Sequence, residues 1–450
     1  MLKRAAVAIA LSCFCVGSAL AHEGHDHEVP SAVWQAHEPD EFAQLEFVQG
    51  LSAATSPSTQ ADTAVALPQQ ITSWMKSDGS TGTSTDPTFN NTLSTILANV
   101  NTIAYDDDYV YIRTSGIPSH AVGPLRTGTV PGDLDATYRF TLNPTAAAPG
   151  ERTESFSELG TVGVMVNGVS FYNGWDSTYW DPSTNQLGDP GSSATSDWRV
   201  NALWRRAAGM DEARGHASLI TNRQTGEAET NPDGTNKGLY HYHMYPESLA
   251  EQLDPGNDGT KGSPIIGFVY DGYAIVGPYA YQEQADGSMV AVQMTSSYGL
   301  IDDRASLGSG NTPSEADFEL GSFLEDFVYK PGTGTLNEFN MAFVRFDDEG
   351  RAVLTDESDP DGQWAYFLTL DAIAAASQTG NEIDLDGDVA YPYITGVEFY
   401  GVYDETPRNL VVPGDVAYYF DYDAVPEPGA LACLVLAGLL VGGRRGREQR

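Results

Sequence analysis

From residue 90 to 412 the chain is written in short apolar or aromatic runs of about five or six residues, separated by Gly, Pro, Asn and Asp. That length suits a strand and falls short of the ten or more residues of an ordinary helix. Seven runs are expected as strands, at 109–113, 138–142, 162–166, 265–270, 289–294, 341–346 and 364–368. Helical periodicity is confined to 246–253, 315–327 and 370–377. No period recurs over tens of residues, which argues against a propeller or solenoid. The expected fold is mainly β: one large domain over 90–412, with a few short helices and long loops. With 41% hydrophobic and 10% aromatic residues, a chain of 450 residues has ample material for a core and does not read as disordered.

The two ends read differently. Residues 1–21 have the form of a secretory signal: Lys3 and Arg4, an apolar stretch, then Ala19-Leu20-Ala21 as cleavage site. Residues 22–89 are expected as a His-containing arm and linker, with a short helix near 40–49. Residues 413–424 are expected as a second linker. At the far end, Pro426-Glu427-Pro428 precedes an apolar run at 430–441 and then Arg444, Arg445 and Arg447. This arrangement resembles the PEP-CTERM sorting signal. The resemblance implies an exported protein anchored in the membrane through a C-terminal helix over 425–450 and recognised by an exosortase-type processing enzyme. It further implies delivery to the cell surface or the extracellular matrix, with surface polysaccharide as a partner.

Charge narrows the partners. The chain carries 62 acidic against 23 basic residues; setting aside six basic and two acidic residues at the ends leaves 17 against 60 over 22–425, about −43. Such a surface repels a phosphate backbone, so nucleic acid is excluded as a general partner. Cys13 and Cys15 leave with the signal and Cys433 sits in the terminal apolar run. The exported body therefore uses neither disulfides nor thiolate ligands.

Histidine carries the remaining chemistry. Four of the eight, His22, His25, His27 and His37, lie in the arm, where the first three form a secondary candidate metal group. The other four are His120, His216, His241 and His243. If 238–243 is a strand, alternation sends His241 and His243 to one face and Tyr240 and Tyr242 to the other. Two imidazoles so placed suit zinc or copper, and they equally suit hydrogen bonding across a polar cavity. A third ligand must come from elsewhere, with His216, His120, Asp233, Glu247 and Asp271 as candidates.

Tyr240-His241-Tyr242-His243, Ser263-Pro264-Ile265-Ile266-Gly267 and the Tyr270-Asp271-Gly272-Tyr273 segment resemble the YHYH domain family. Gly116-Ile117-Pro118-Ser119-His120, Asn167-Gly168-Val169 with Tyr172-Asn173, and Gly215-His216-Ala217 fit the same pattern, as do Trp364-Ala365-Tyr366-Phe367 and Tyr391-Pro392-Tyr393-Ile394. The resemblance implies mostly exported proteins with a metal-binding role supposed from the histidines. Two departures weaken the implied site: Ser119 replaces an acid, and the cysteine that often precedes the Gly-His step is absent. Asp271 beside Gly272 either reaches inward as a ligand or caps its own turn.

Asp384, Asp386 and Asp388 are spaced like a calcium loop, but position 12 is Thr395, which excludes an EF-hand and leaves a looser calcium site there or at 356–361. No Walker A loop, G-x-S-x-G elbow or H-E-x-x-H helix is present. Two readings therefore stand. One is a non-catalytic surface or matrix protein with a histidine-bound metal; the other is an exported metalloenzyme using the His-x-His pair.

Overall fold

The computed structural model describes residues 67–423, apart from 126–127, 157–159, 189–196, 207–208, 223, 308–310 and 371–389. It is mainly β. All seven short runs become strands with ends displaced by at most two residues: Tyr109–Thr114, Ala136–Thr141, Thr161–Met165, Ile265–Val269, Met289–Gln293, Met341–Phe346 and Gln363–Phe367. The 246–253 periodicity becomes the helix Glu247–Leu253.

Twelve strands form one mixed sheet. From one edge the order is Gly215–Leu219, Lys237–Tyr242, Ser170–Tyr172, Thr161–Met165, Ile265–Val269, Ala274–Val276, Gln363–Phe367 and Met341–Phe346. It continues through Ala352–Leu354 and Tyr279–Glu283 to Met289–Gln293 at the far edge, while Val130–Pro131 pairs beside Lys237–Tyr242. Most pairings are antiparallel, but Lys237–Tyr242 runs parallel to Ser170–Tyr172. A second, four-stranded antiparallel sheet has the order Ala417–Asp421, Val100–Tyr105, Tyr109–Thr114, Ala136–Thr141.

The two sheets share a core. Trp74 packs 5.3 Å from Phe140 of the smaller sheet and 5.2 Å from Phe268 of the larger, ring centre to ring centre. Its indole N–H donates to the Gln70 carbonyl at 2.6 Å, which removes the cost of burying that dipole. Tyr138 stacks on Tyr270 beside it. Burying each such side chain contributes on the order of 1.5–3 kcal/mol, and this clamp holds the sheet that carries the histidines.

Three expectations need correction. The domain reaches beyond 90–412: Ile71 and Trp74 are in the core, and Ala417–Asp421, inside the stretch expected as linker, pairs with Val100–Tyr105. Residues 315–327 do not form one helix; among them only Leu324–Asp326 makes a short 3-10 turn before the strand Phe327–Tyr329. The cause is distant in sequence. The buried Arg304 guanidinium takes the carbonyls of Phe318 and Glu319, and the Asp326 carboxylate takes the N–H groups of Gly321 and Phe323, so these groups are lost to a helix ladder. The helices expected near 40–49 and over most of 370–377 lie outside the described residues, as do His22, His25 and His27, the calcium candidates Asp384, Asp386 and Asp388, and both terminal signals. Among the described residues no helix is long and apolar enough to cross a membrane.

Candidate metal centre

The site is built by register. His241 lies near the end of Lys237–Tyr242, His243 directly follows it, and His216 on the edge strand Gly215–Leu219 stands directly opposite His241. Alternation therefore delivers three imidazoles to one sheet face. Their ring centres are 4.2 Å apart for His216 and His241, 5.0 Å for His241 and His243, and 5.3 Å for His216 and His243. One nitrogen from each falls within 4.8 Å of the others. His241 and His243 are buried, and His216 keeps part of its surface while its Nε2 is shut off from solvent. Tyr172 stacks on His241 with ring centres 4.0 Å apart and covers the trio from the neighbouring strand.

The hydrogen bonds fix the ring states. His241 Nδ1 lies 3.1 Å from the Leu239 carbonyl and His243 Nδ1 lies 2.7 Å from the Asn173 carbonyl. A carbonyl only accepts, so both Nδ1 atoms carry the proton and donate. Neutral rings then leave lone pairs on both Nε2 atoms, which face one another at 3.2 Å with no proton between them. His216 Nε2 is buried without a hydrogen-bond partner among the described residues. Protonation does not resolve this crowding. Burial pushes His216 down to about 3 and His243 to about 4, and holds His241 well below its ordinary value, with the neighbouring imidazoles adding to the effect at His216 and His241. The arrangement is a set of buried, neutral acceptors converging on one point, which is what a soft-to-borderline cation requires. Carbonyl partners on Nδ1 are the usual orienting contacts of metal-ligating histidines.

The other candidates go elsewhere. His120 belongs to the tyrosine face: its Nδ1–H donates to the Ala121 carbonyl at 3.0 Å, and its Nε2 accepts from the Tyr242 hydroxyl at 2.7 Å, which also accepts from Asn167. Tyr240 on that face donates to the buried Asp211 at 2.8 Å. Asp271 is fully buried, but it caps its own turn through the Tyr273 N–H and accepts from the Tyr366 hydroxyl at 2.7 Å and the Gly401 N–H at 3.0 Å. It is a structural carboxylate, raised to about 6 by burial. Asp233 accepts from Thr92 and Thr235, and Glu247 pairs with Arg214 at 2.9 Å. Of the five candidates for the third ligand, only His216 joins His241 and His243.

Sequence reading missed the flank of the site. The nearly buried Asp176 takes Arg205 Nη1 at 3.2 Å and Arg206 Nε, both from the helix Ala202–Arg206. The available signal was Arg205-Arg206 itself, the one pair of adjacent basic residues in the acidic body.

A family model described as YHYH protein matches residues 137–379, a span that includes the trio, Asp176 and Asp271 but not His120. No curated protein and no solved structure matches the chain significantly.

Proposed function

The chain belongs to the YHYH protein family, and we propose that it is an exported protein that holds one transition-metal ion, zinc or copper, through His216, His241 and His243. The observation that supports this reading is the pair of Nε2 lone pairs facing at 3.2 Å beside the Nε2 of His216, which has no hydrogen-bond partner among the described residues. Buried polar atoms without partners cost about 1–3 kcal/mol each, and a cation among them turns that cost into binding energy. The ion would join the edge strand to its neighbour, which suits a non-catalytic role in a surface or matrix protein. The sorting motif over 425–447 and the signal at 1–21 support export, membrane anchoring and processing by an exosortase-type enzyme, with surface polysaccharide as the matrix partner.

A second reading, an exported metalloenzyme, is favoured by one feature: the group supplies three protein ligands, whereas structural zinc sites are closed by four. A bound ion would supply Lewis acidity at the remaining position. The chain's own residues orient the imidazoles and shield them from water.

The test is metal content. The candidate metal group of the arm is removed by His22→Ala, His25→Ala and His27→Ala in the full chain, because truncation near 76 would remove Ile71 and Trp74 from the core. This protein should carry about one ion per chain, since a three-ligand site couples binding to folding. His216→Ala, His241→Ala and His243→Ala should each lose it. Tyr242→Phe should keep it, because that hydroxyl serves His120 and Asn167 on the other face. Retention of metal by all three alanine variants would refute the site.

A further inference from the structure

We propose that the coordination position left by the three imidazoles is taken by a small anion of the carboxylate or oxyanion class, held from the solvent side by Arg206. The inference rests on the metal reading above and adds the chemistry of the ligand. Three neutral imidazoles leave the charge of a divalent ion uncompensated in a buried site, which is costly unless an anion accompanies it. The carboxylate on the flank does not supply that charge. Asp176, with 4% of its side chain exposed, is already engaged by two guanidinium groups and accepts from Thr178. In this group two guanidinium groups meet one carboxylate, in a body near −43 where Arg205-Arg206 is the one doubled basic step.

The backbone places this group next to the histidines. The Asn173 carbonyl accepts from His243, the Gly174 carbonyl accepts from the Ala202 N–H at 2.7 Å, and Asp176 then receives Arg205 and Arg206 from the same helix. Arg206 adds to the disfavouring of protonation at all three imidazoles, and Asp176 opposes it at His243. Only its Nε is committed to a described residue, and 44% of its side chain is exposed. Its two terminal nitrogens make no hydrogen bond with a described residue, and they form the fork that recognises a carboxylate or oxyanion in two-pronged fashion. Arg205, by contrast, has one prong of its terminal fork, Nη1, taken by Asp176 and the Thr178 hydroxyl.

The experiment loads the full chain, with His22, His25 and His27 replaced by alanine as above, with cobalt(II) and titrates it with azide and with acetate. The visible cobalt spectrum should shift with each anion, and salt should weaken the response. Arg206→Gln should keep one cobalt per chain and bind acetate at least about tenfold more weakly. If that variant loses its metal or its fold, Arg206→Lys decides. It keeps the charge but not the fork, so acetate affinity should fall while azide affinity holds. A loaded parent whose spectrum ignores both anions overturns this inference alone, as does Arg206→Gln binding acetate like the parent or Arg206→Lys binding both anions like the parent. A parent that takes up no cobalt overturns the metal reading and this inference with it.

Discussion

At the scale of single residues, the two faces of one short strand do opposite work. Tyr240 and Tyr242 close a satisfied polar network with Asp211, His120 and Asn167, whereas His241 and His243 present acceptors that protein groups leave open. This asymmetry sets the pH behaviour. A free imidazole takes up a proton near 6.5, while burial holds His216 at about 3 and His243 at about 4. A loaded trio should therefore keep its ion on dialysis at pH 5, where a free peptide of residues 22–37 should release its own. Without metal the sign is reversed for stability. Below about 6.5 the unfolded chain binds protons that the folded rings refuse, so these histidines make the metal-free fold lose stability as pH falls. Asp211 and Asp271, raised to about 6 by burial, pull the other way below that value. The diagnostic is thus the difference between parent and His216→Asn: calorimetry at pH 7 and pH 5 should show a smaller loss in the variant.

At the scale of elements, the pairing of strands decides which histidines meet. His216 and His241 are 25 positions apart, and the antiparallel register sets them opposite one another. That register needs Gly215. A Cβ there would lie 2.3 Å from the ring and hydroxyl of Tyr240, on the tyrosine face. Gly215→Ala should force that ring away from Asp211, cost about 1–3 kcal/mol, and move the adjacent His216 off the other two imidazoles. Denaturant melts should show the lost stability, and metal titration the weakened binding. Legibility in sequence follows the range of the interaction. The 109–113 and 341–346 strands and the sidedness of Tyr240 to His243 were readable because alternation is local. The third ligand was not, because the choice of His216 over His120 or Asp271 depends on strand neighbours far apart in sequence. The helix expected over 315–327 failed for the same reason: its carbonyls are claimed by Arg304, whose partners no local period reveals.

At the scale of the whole molecule, the folded body and the proposed sorting signals make separate demands. The body is strongly acidic, which keeps it soluble and self-repelling and leaves the Arg205-Arg206 step as a local exception. The tail over 425–450, proposed above as a sorting signal, follows the last described strand, Ala417–Asp421, in sequence. Replacing Pro426-Glu427-Pro428 by alanines should leave export and metal content unchanged and block processing. Fractionation of cells producing both forms checks this; identical processing would reduce the tail to a membrane anchor. The metal site belongs to the body alone, and X-ray absorption on the purified full chain with His22, His25 and His27 replaced tests it most directly. The edge identifies the element, and the fine structure counts its neighbours. The account predicts zinc or copper with about three imidazole nitrogens at about 2.0–2.1 Å and a remaining light-atom ligand. A chain with no metal edge, or an ion surrounded by oxygen alone, would contradict it.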